Sequence, residues 1–253
     1  MKTSKYIVRR AINFVARTLT DIVCKVEAQG LDRIPAKGPI IVIVNHVNYL
    51  ELPVIYSRAR TDMGTGYSKV ENWDNPLLRF VFNNWDLIPL ERGEADVTAM
   101  RKGLQALAED RILFITPEGT RSHHGRMQRG RPGAVLMATR SGAPVWPIAC
   151  YGGEEFIENL KHGRRTDYHV VVGDPFTVDG HEKRITAPIR QQIMDEMMYQ
   201  IAALMPPAYR GYYQDVSTAT EEYLRFSAPD HSNLSGVTAG ELWAGAKAQP
   251  SLP

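Results

Sequence analysis

Apolar residues fall along this chain in two patterns: short unbroken runs, and longer stretches in which they recur every three or four positions. The runs "IIVIV" (40–44), "ILFI" (112–115) and "VWPIAC" (145–150) are largely β-branched and flanked by Gly or Pro, which reads as strands buried on both faces. "YHVVVGDPF" supplies a further strand and "DLIPLER" a strand-like exit. Helical spacing marks "PVIYSRAR", "NPLLRFVFNNW" and residues 96–110, where Val97, Met100, Leu104 and Leu107 are expected on one face. It returns in "PGAVLMATRSG", stopped by Gly142, and in "ITAPIRQQIMDEMMYQIAALMP", ended by Pro206-Pro207. Strands thus alternate with helices. The pattern predicts an α/β fold whose mainly parallel central sheet is covered by helices on both faces.

The first segment, "YIVRRAINFVARTLTDIVCKVE", places Ile7, Ala11, Phe14, Val15, Leu19, Ile22 and Val23 at helical spacing, interrupted by Arg9, Arg10, Asn13, Arg17 and Asp21. It is expected to form a basic amphipathic helix, able either to pack on its own domain or to lie in a bilayer interface. From about residue 226 the pattern fades into "SAPDHSNLSGVTAGELWAGAKAQPSLP". The expected organisation is therefore an N-terminal helix over 1–28, one domain over 29–225, and a tail of low structure over 226–253.

A net charge of +2 over 253 residues is too mild to suggest nucleic acid, but tolerates an anionic membrane surface. Two distant cysteines, Cys24 and Cys150, suggest neither a disulfide framework nor a thiolate metal site. No apolar stretch has the length of a membrane span and the N-terminus lacks a signal-peptide pattern, so a cytoplasmic location is expected.

In open α/β sheets, ligand sites form beyond the carboxyl ends of strands. Three segments stand there: "NHVNYLE", "LERGEAD" and "TPEGTRS". In the first, Glu51 follows His46 by five positions, about 140° apart on a continuous helix, so the pair can meet only across a loop. A carboxylate on one ring nitrogen would leave the other free as a base; a surface histidine beside a surface glutamate is the alternative. In the second, Arg92 can grip a phosphate, or simply be solvated. In the third, Gly119 permits a tight turn, Thr120 can cap, Glu118 can hold Arg121 or receive a hydroxyl, and Arg121 opens the run "RSHHGRMQRGR". His123 and His124 lack the spacing of further ligands, so no metal is expected. No Gly-x-Ser-x-Gly nucleophile motif occurs.

Together, "NHVNYLELPVI", "YSKVENW" through "WDLIPLERGEAD", "ITPEGTRS" and "GAPVWPIACYG" resemble, in order, the four blocks of the glycerolipid acyltransferase family, whose members include lysophosphatidic acid acyltransferase-like proteins. The resemblance covers about residues 25–205. It implies acyl transfer from a thioester of coenzyme A or acyl carrier protein to the hydroxyl of a lysophosphatidic acid-type acceptor in phospholipid biosynthesis, with no cofactor beyond that co-substrate. It makes His46 the general base, Glu51 the acid that orients it, and Arg92, Glu118, Gly119, Thr120 and Arg121 acceptor-binding residues. Other lysophospholipids, glycerol 3-phosphate or a glycolipid are alternative acceptors, and a lipid-binding protein without turnover is the alternative class. An enzyme of lipids must also meet a membrane, which favours the surface-bound role for the first helix. The family usually carries Asp where this chain has Glu51. The added methylene moves the carboxylate by roughly 1.5 Å, so pairing with His46 requires the loop to retreat.

Overall fold

The computed structural model describes residues 3–91, 96–122, 124–179 and 185–238. The chain runs through α1 (Thr3–Val23), β1 (Cys24–Gln29), β2 (Ile40–Val44), α2 (Glu51–Arg58), β3 (Gly64–Lys69), α3 (Pro76–Asn84), β4 (Ile88–Leu90), α4 (Val97–Ala108) and β5 (Ile112–Ile115). It continues through α5 (Gly133–Ser141), β6 (Val145–Tyr151), α6 (Phe156–Lys161), β7 (Thr166–Val172), β8 (Phe176–Val178), α7 (Ala187–Ala203), β9 (Leu224–Phe226) and α8 (Ser235–Thr238). The sheet order is β1-β7-β6-β2-β5-β3-β4, with β8 and β9 extending from β6. Pairings from β6 through β4, and between β1 and β7, are parallel, while β6 meets β7 and β8 antiparallel.

Strand β2 lies at the centre because its residues satisfy both faces. Ile41 and Ile43 pack into the layer of α4, α5 and α7, while Ile40, Val42 and Val44 pack into the layer of α1, α2 and α3. The C-terminal ends of β2, β5 and β6 therefore converge at one edge. The loops that follow them can build a common site there.

Several local expectations change. The first helix ends at Val23, and "CKVEAQ", expected as its continuation, is an edge strand paired with β7, so the N-terminal segment is continuous with the domain's sheet. In α4, Leu107 is buried and Met100 and Leu104 pack against the core as expected, but Val97 is exposed and the helix also buries the small residues Ala99, Gly103 and Ala106. Small residues are needed because a Cβ on Gly103 would lie 1.9 Å from the Tyr67 hydroxyl. Strand β3, "GTGYSK", has no apolar run at all; a Cβ on Gly66 would meet the Phe114 carbonyl oxygen at 2.9 Å. The segment expected as a tail is structured as far as residue 238, where Asn233 donates to the carbonyl of Asp174 at 3.1 Å and to Gln200 Oε1 at 3.0 Å.

Helix α1 is fastened to the domain by its less apolar side. Buried Arg9 donates to the Gly64 carbonyl at 2.8 Å, Asn13 accepts from the Trp85 indole at 2.8 Å, and Thr20 accepts from Arg58 at 2.9 Å. Ile12, Ala16 and Val23 fill the space between these contacts. Ile7, Phe14, Val15, Leu19 and Ile22, the residues that carried the amphipathic pattern, are more than half exposed. The helix is thus both a structural part of the domain and a source of an unsatisfied apolar face.

Candidate active site

The end of β2 is shaped by Asn45. Its amide donates to the Cys150 carbonyl at 2.8 Å and accepts from the Cys150 N–H at 2.7 Å, so a side chain completes the ladder with β6 while the backbone turns away. His46 follows, clamped at both of its peptide groups by the loop after β5. Its N–H donates to Glu118 Oε1 at 2.7 Å and its carbonyl accepts from the Ser122 N–H at 2.9 Å.

Glu51 opens α2 and is buried. One oxygen, Oε1, accepts from the N–H groups of Val47 and Asn48 at 3.0 and 2.9 Å; the other, Oε2, stands 3.4 Å from His46 Nδ1. The loop accommodates the longer acid with both of its oxygens placed. At 3.4 Å the pair is longer than an ordinary hydrogen bond, yet Nδ1 and Oε2 are both enclosed and have no other hydrogen-bond partner, so each faces the other alone. The imidazole is about one-fifth exposed and lines a cavity, which leaves Nε2 as its open nitrogen.

The other expected residues divide. Glu118 does not hold Arg121: its second oxygen accepts from the Gln128 N–H at 2.8 Å, so its carboxylate ties two loop backbones together. Burial pushes its carboxyl up from 4.5 to about 7, against the opposing hydrogen bonds from the His46 and Gln128 N–H groups. Gly119 takes φ +71°, and a Cβ there would crowd the Arg131 side chain at 3.2 Å. Thr120 is exposed and offers its carbonyl to Gln128 Nε2 at 3.1 Å. Arg121 lines the same cavity as His46, and its guanidinium lies over the ring of Tyr49. Arg92 lies outside the described residues.

The cavity encloses about 950 Å³. Its walls come from α1, α2, α3 and the sheet, with Val15, Leu19, Phe80, Trp85 and Phe114 among them, and its polar end is formed by His46, Asn48, Glu51 and Arg121. An imidazole thus sits at the mouth of an apolar groove. Such a groove suits a hydrocarbon chain whose reactive end is polar.

A family model described as Acyltransferase matches residues 25–151, half of the chain, and spans both clamped loops. The chain belongs to the acyltransferase family. It is 28% identical over 164 residues to the chloroplastic 1-acyl-sn-glycerol-3-phosphate acyltransferase BAT2 of Brassica napus, covering 60% of this chain and 45% of the relative. It is 26% identical over 204 residues to the 1-acyl-sn-glycerol-3-phosphate acyltransferase of Borreliella burgdorferi, covering 76% and 78%. The aligned region is thus less than half the length of the plant protein but most of the bacterial one. The crystal structure of PlsC, the 1-acyl-sn-glycerophosphate acyltransferase of Thermotoga maritima, shares the fold with a TM-score of 0.58 at 19% identity, over 78% of this chain and 80% of that one.

Sequence reasoning overlooked Asn45 and Tyr49. The signal for Asn45 was present: an amide placed where an apolar strand stops, able to mimic a peptide group. For Tyr49 no local signal existed, because its partner lies in another loop.

Proposed function

We propose that this acyltransferase moves a fatty acyl group from an acyl thioester, on coenzyme A or acyl carrier protein, to the hydroxyl of a 1-acyl-glycerol-3-phosphate-type acceptor. One observation carries the reading: His46 presents one ring nitrogen to the mouth of an apolar cavity while Glu51 faces the other. His46 Nε2 takes the proton of the acceptor hydroxyl as its oxygen attacks the thioester carbonyl. The tetrahedral oxyanion then collapses, the carbon–sulfur bond breaks, and the thiolate leaves with the proton that His46 took up. Glu51 keeps the proton on Nδ1 and offsets the charge of the transient imidazolium. Arg121, with Arg92 as its expected companion, takes the acceptor's phosphate, and the apolar groove takes the acyl chain. The names of the relatives support the acceptor class.

Lipid substrates require the enzyme to meet a membrane, and our reading is of a peripheral protein on its cytoplasmic face. Among the described residues no helix is long and apolar enough to cross a membrane. Contact is made instead by the exposed side chains of α1 with Leu77 and Phe80 of α3, flanked by Arg10 and Arg17, which suit anionic head groups.

The test is an acceptor panel read as release of free thiol. Lysophosphatidate, other lysophospholipids, glycerol 3-phosphate and a glycolipid are each offered with acyl-CoA and acyl-acyl carrier protein. Transfer to lysophosphatidate at the highest kcat/KM is expected. Preference for another acceptor corrects the substrate, and lipid binding without thiol release from any pair refutes the enzymatic reading.

A further inference from the structure

Arg121 is held by a contact quite different from the acid expected to hold it. Its Cζ lies 3.8 Å from the centroid of the Tyr49 ring, the separation of two flat groups in face-to-face contact. Among the described residues it forms no ion pair. Tyr49 is 64% exposed, so core packing does not explain its place on this loop. A ring against the face of a guanidinium fixes its plane and leaves its N–H donors pointing outward within that plane. One of them, Nη1, is enclosed and has no hydrogen-bond partner. Arg121 also lines the cavity onto which His46 opens, so an anion bound there would meet the rest of the guanidinium edge.

Tyr49 also stands three residues after His46, while Ser122, next to Arg121, donates its N–H to the His46 carbonyl at 2.9 Å. The two loops are therefore joined three times, at both peptide groups of His46 and through the ring. The base and the cation sit at a set spacing.

Building on the function proposed above, we propose that Tyr49 is a positioning residue for the acceptor's anionic head group. It holds Arg121 so that the guanidinium edge grips a phosphate while His46 meets the hydroxyl of the same molecule. The substrate class this favours is a hydroxyl-bearing lipid with a phosphomonoester, which can accept two parallel hydrogen bonds from one arginine. An acceptor without an anionic head group gains nothing from the stack.

The experiment is steady-state kinetics with 1-oleoyl-glycerol 3-phosphate and oleoyl-CoA on the full chain. Tyr49→Ala should raise KM for the acceptor by about 3- to 30-fold, the span of a partly desolvated cation–π contact, with kcat within about threefold. Tyr49→Phe, which keeps the ring, should stay within about twofold of wild type. In an Arg121→Ala background, Tyr49→Ala should change KM by less than about twofold, because the partner is already gone. An unchanged KM in Tyr49→Ala, equal damage in Tyr49→Phe, or multiplying effects in the double variant would overturn the inference while leaving the acyl-transfer reading intact. If the wild type releases no thiol, that reading fails, and equilibrium binding of glycerol 3-phosphate decides the inference separately. Binding about 3- to 30-fold weaker in Tyr49→Ala, with Tyr49→Phe like wild type, supports it, and equal Kd values overturn it.

Discussion

Exchanging Glu51 for Gln separates the structural use of this side chain from its chemical use. In the native loop Oε1 accepts two backbone N–H groups and Oε2 faces the imidazole. Glutamine keeps the shape and one oxygen, so both amides retain an acceptor, but an NH2 group replaces Oε2. Opposite a donor, His46 Nδ1 must accept; the ring proton shifts to Nε2, and the nitrogen facing the cavity stops being a base. Replacing a charged acceptor by a neutral one weakens each amide bond by about 1 kcal/mol, so the stability loss should be about 2 kcal/mol, or roughly 4–8 °C in Tm for a chain of this size. The loss in kcat should be far larger, on the order of 100- to 10,000-fold. Thiol release at saturating donor and acceptor, with thermal unfolding of the same preparation, measures both. Glu51→Asp provides the complement. Its carboxylate is roughly 1.5 Å short, and it cannot keep both amides and a group already 3.4 Å away, so kcat should fall by about 10- to 100-fold although Asp is the family's usual residue. Folded Glu51→Gln protein with kcat within about threefold of wild type would refute the role given to the pair.

Glu118 gives a pH signature. Because the folded chain holds its proton more tightly than the unfolded one, its contribution is complete below about 4.5 and is lost as pH rises through about 7. At 1.36 kcal/mol per pH unit the whole interval is worth about 3 kcal/mol, so the stability of wild type relative to Glu118→Gln in urea should decline by about 2 kcal/mol between pH 5 and pH 8. A flat difference would contradict this. On the membrane side, Phe14→Ser with Ile22→Ser should lower partitioning onto anionic liposomes by tenfold or more, since each side chain contributes about 1.5–3 kcal/mol of apolar burial, while Tm moves little. Deleting residues 1–23 should instead abolish cooperative unfolding, because it removes Arg9, Asn13 and Thr20 from their buried contacts. A truncated protein with native Tm would show that α1 is dispensable to the fold.

The sequence disclosed the parts of this protein whose physics is local. β2, β5 and β6 were legible because a strand buried on both faces must be a continuous apolar run. β3 was not, because Gly66 answers to the Phe114 backbone and the Tyr56 hydroxyl, and Gly64 to the Phe114 ring and the Arg9 guanidinium, rather than to a pattern of their own. β1 was hidden behind a helix whose spacing carried on past Val23, and only the pairing with β7 ends it. The same division runs through the site. The spacing of His46 and Glu51 required only a loop between them and left a surface pair open; the resemblance to the acyltransferase blocks implied the pairing, and the fold brings Nδ1 and Oε2 to 3.4 Å. The work of Glu118 did not, because its two partners, the N–H groups of His46 and Gln128, lie on different loops. The apolar face of α1 was read correctly as a pattern, but the side that meets the domain is fastened by the polar residues Arg9, Asn13 and Thr20, which no hydrophobic periodicity could place inside.

General-base catalysis by His46 is tested most directly by its exchange for alanine, measured as thiol release from acyl-CoA in the presence of lysophosphatidate. The backbone of residue 46 remains clamped by Glu118 and Ser122, so folding should be preserved, and kcat should fall by about 100- to 10,000-fold with KM for both substrates little changed. Turnover that survives this substitution at the wild-type rate would show that the proton is removed elsewhere.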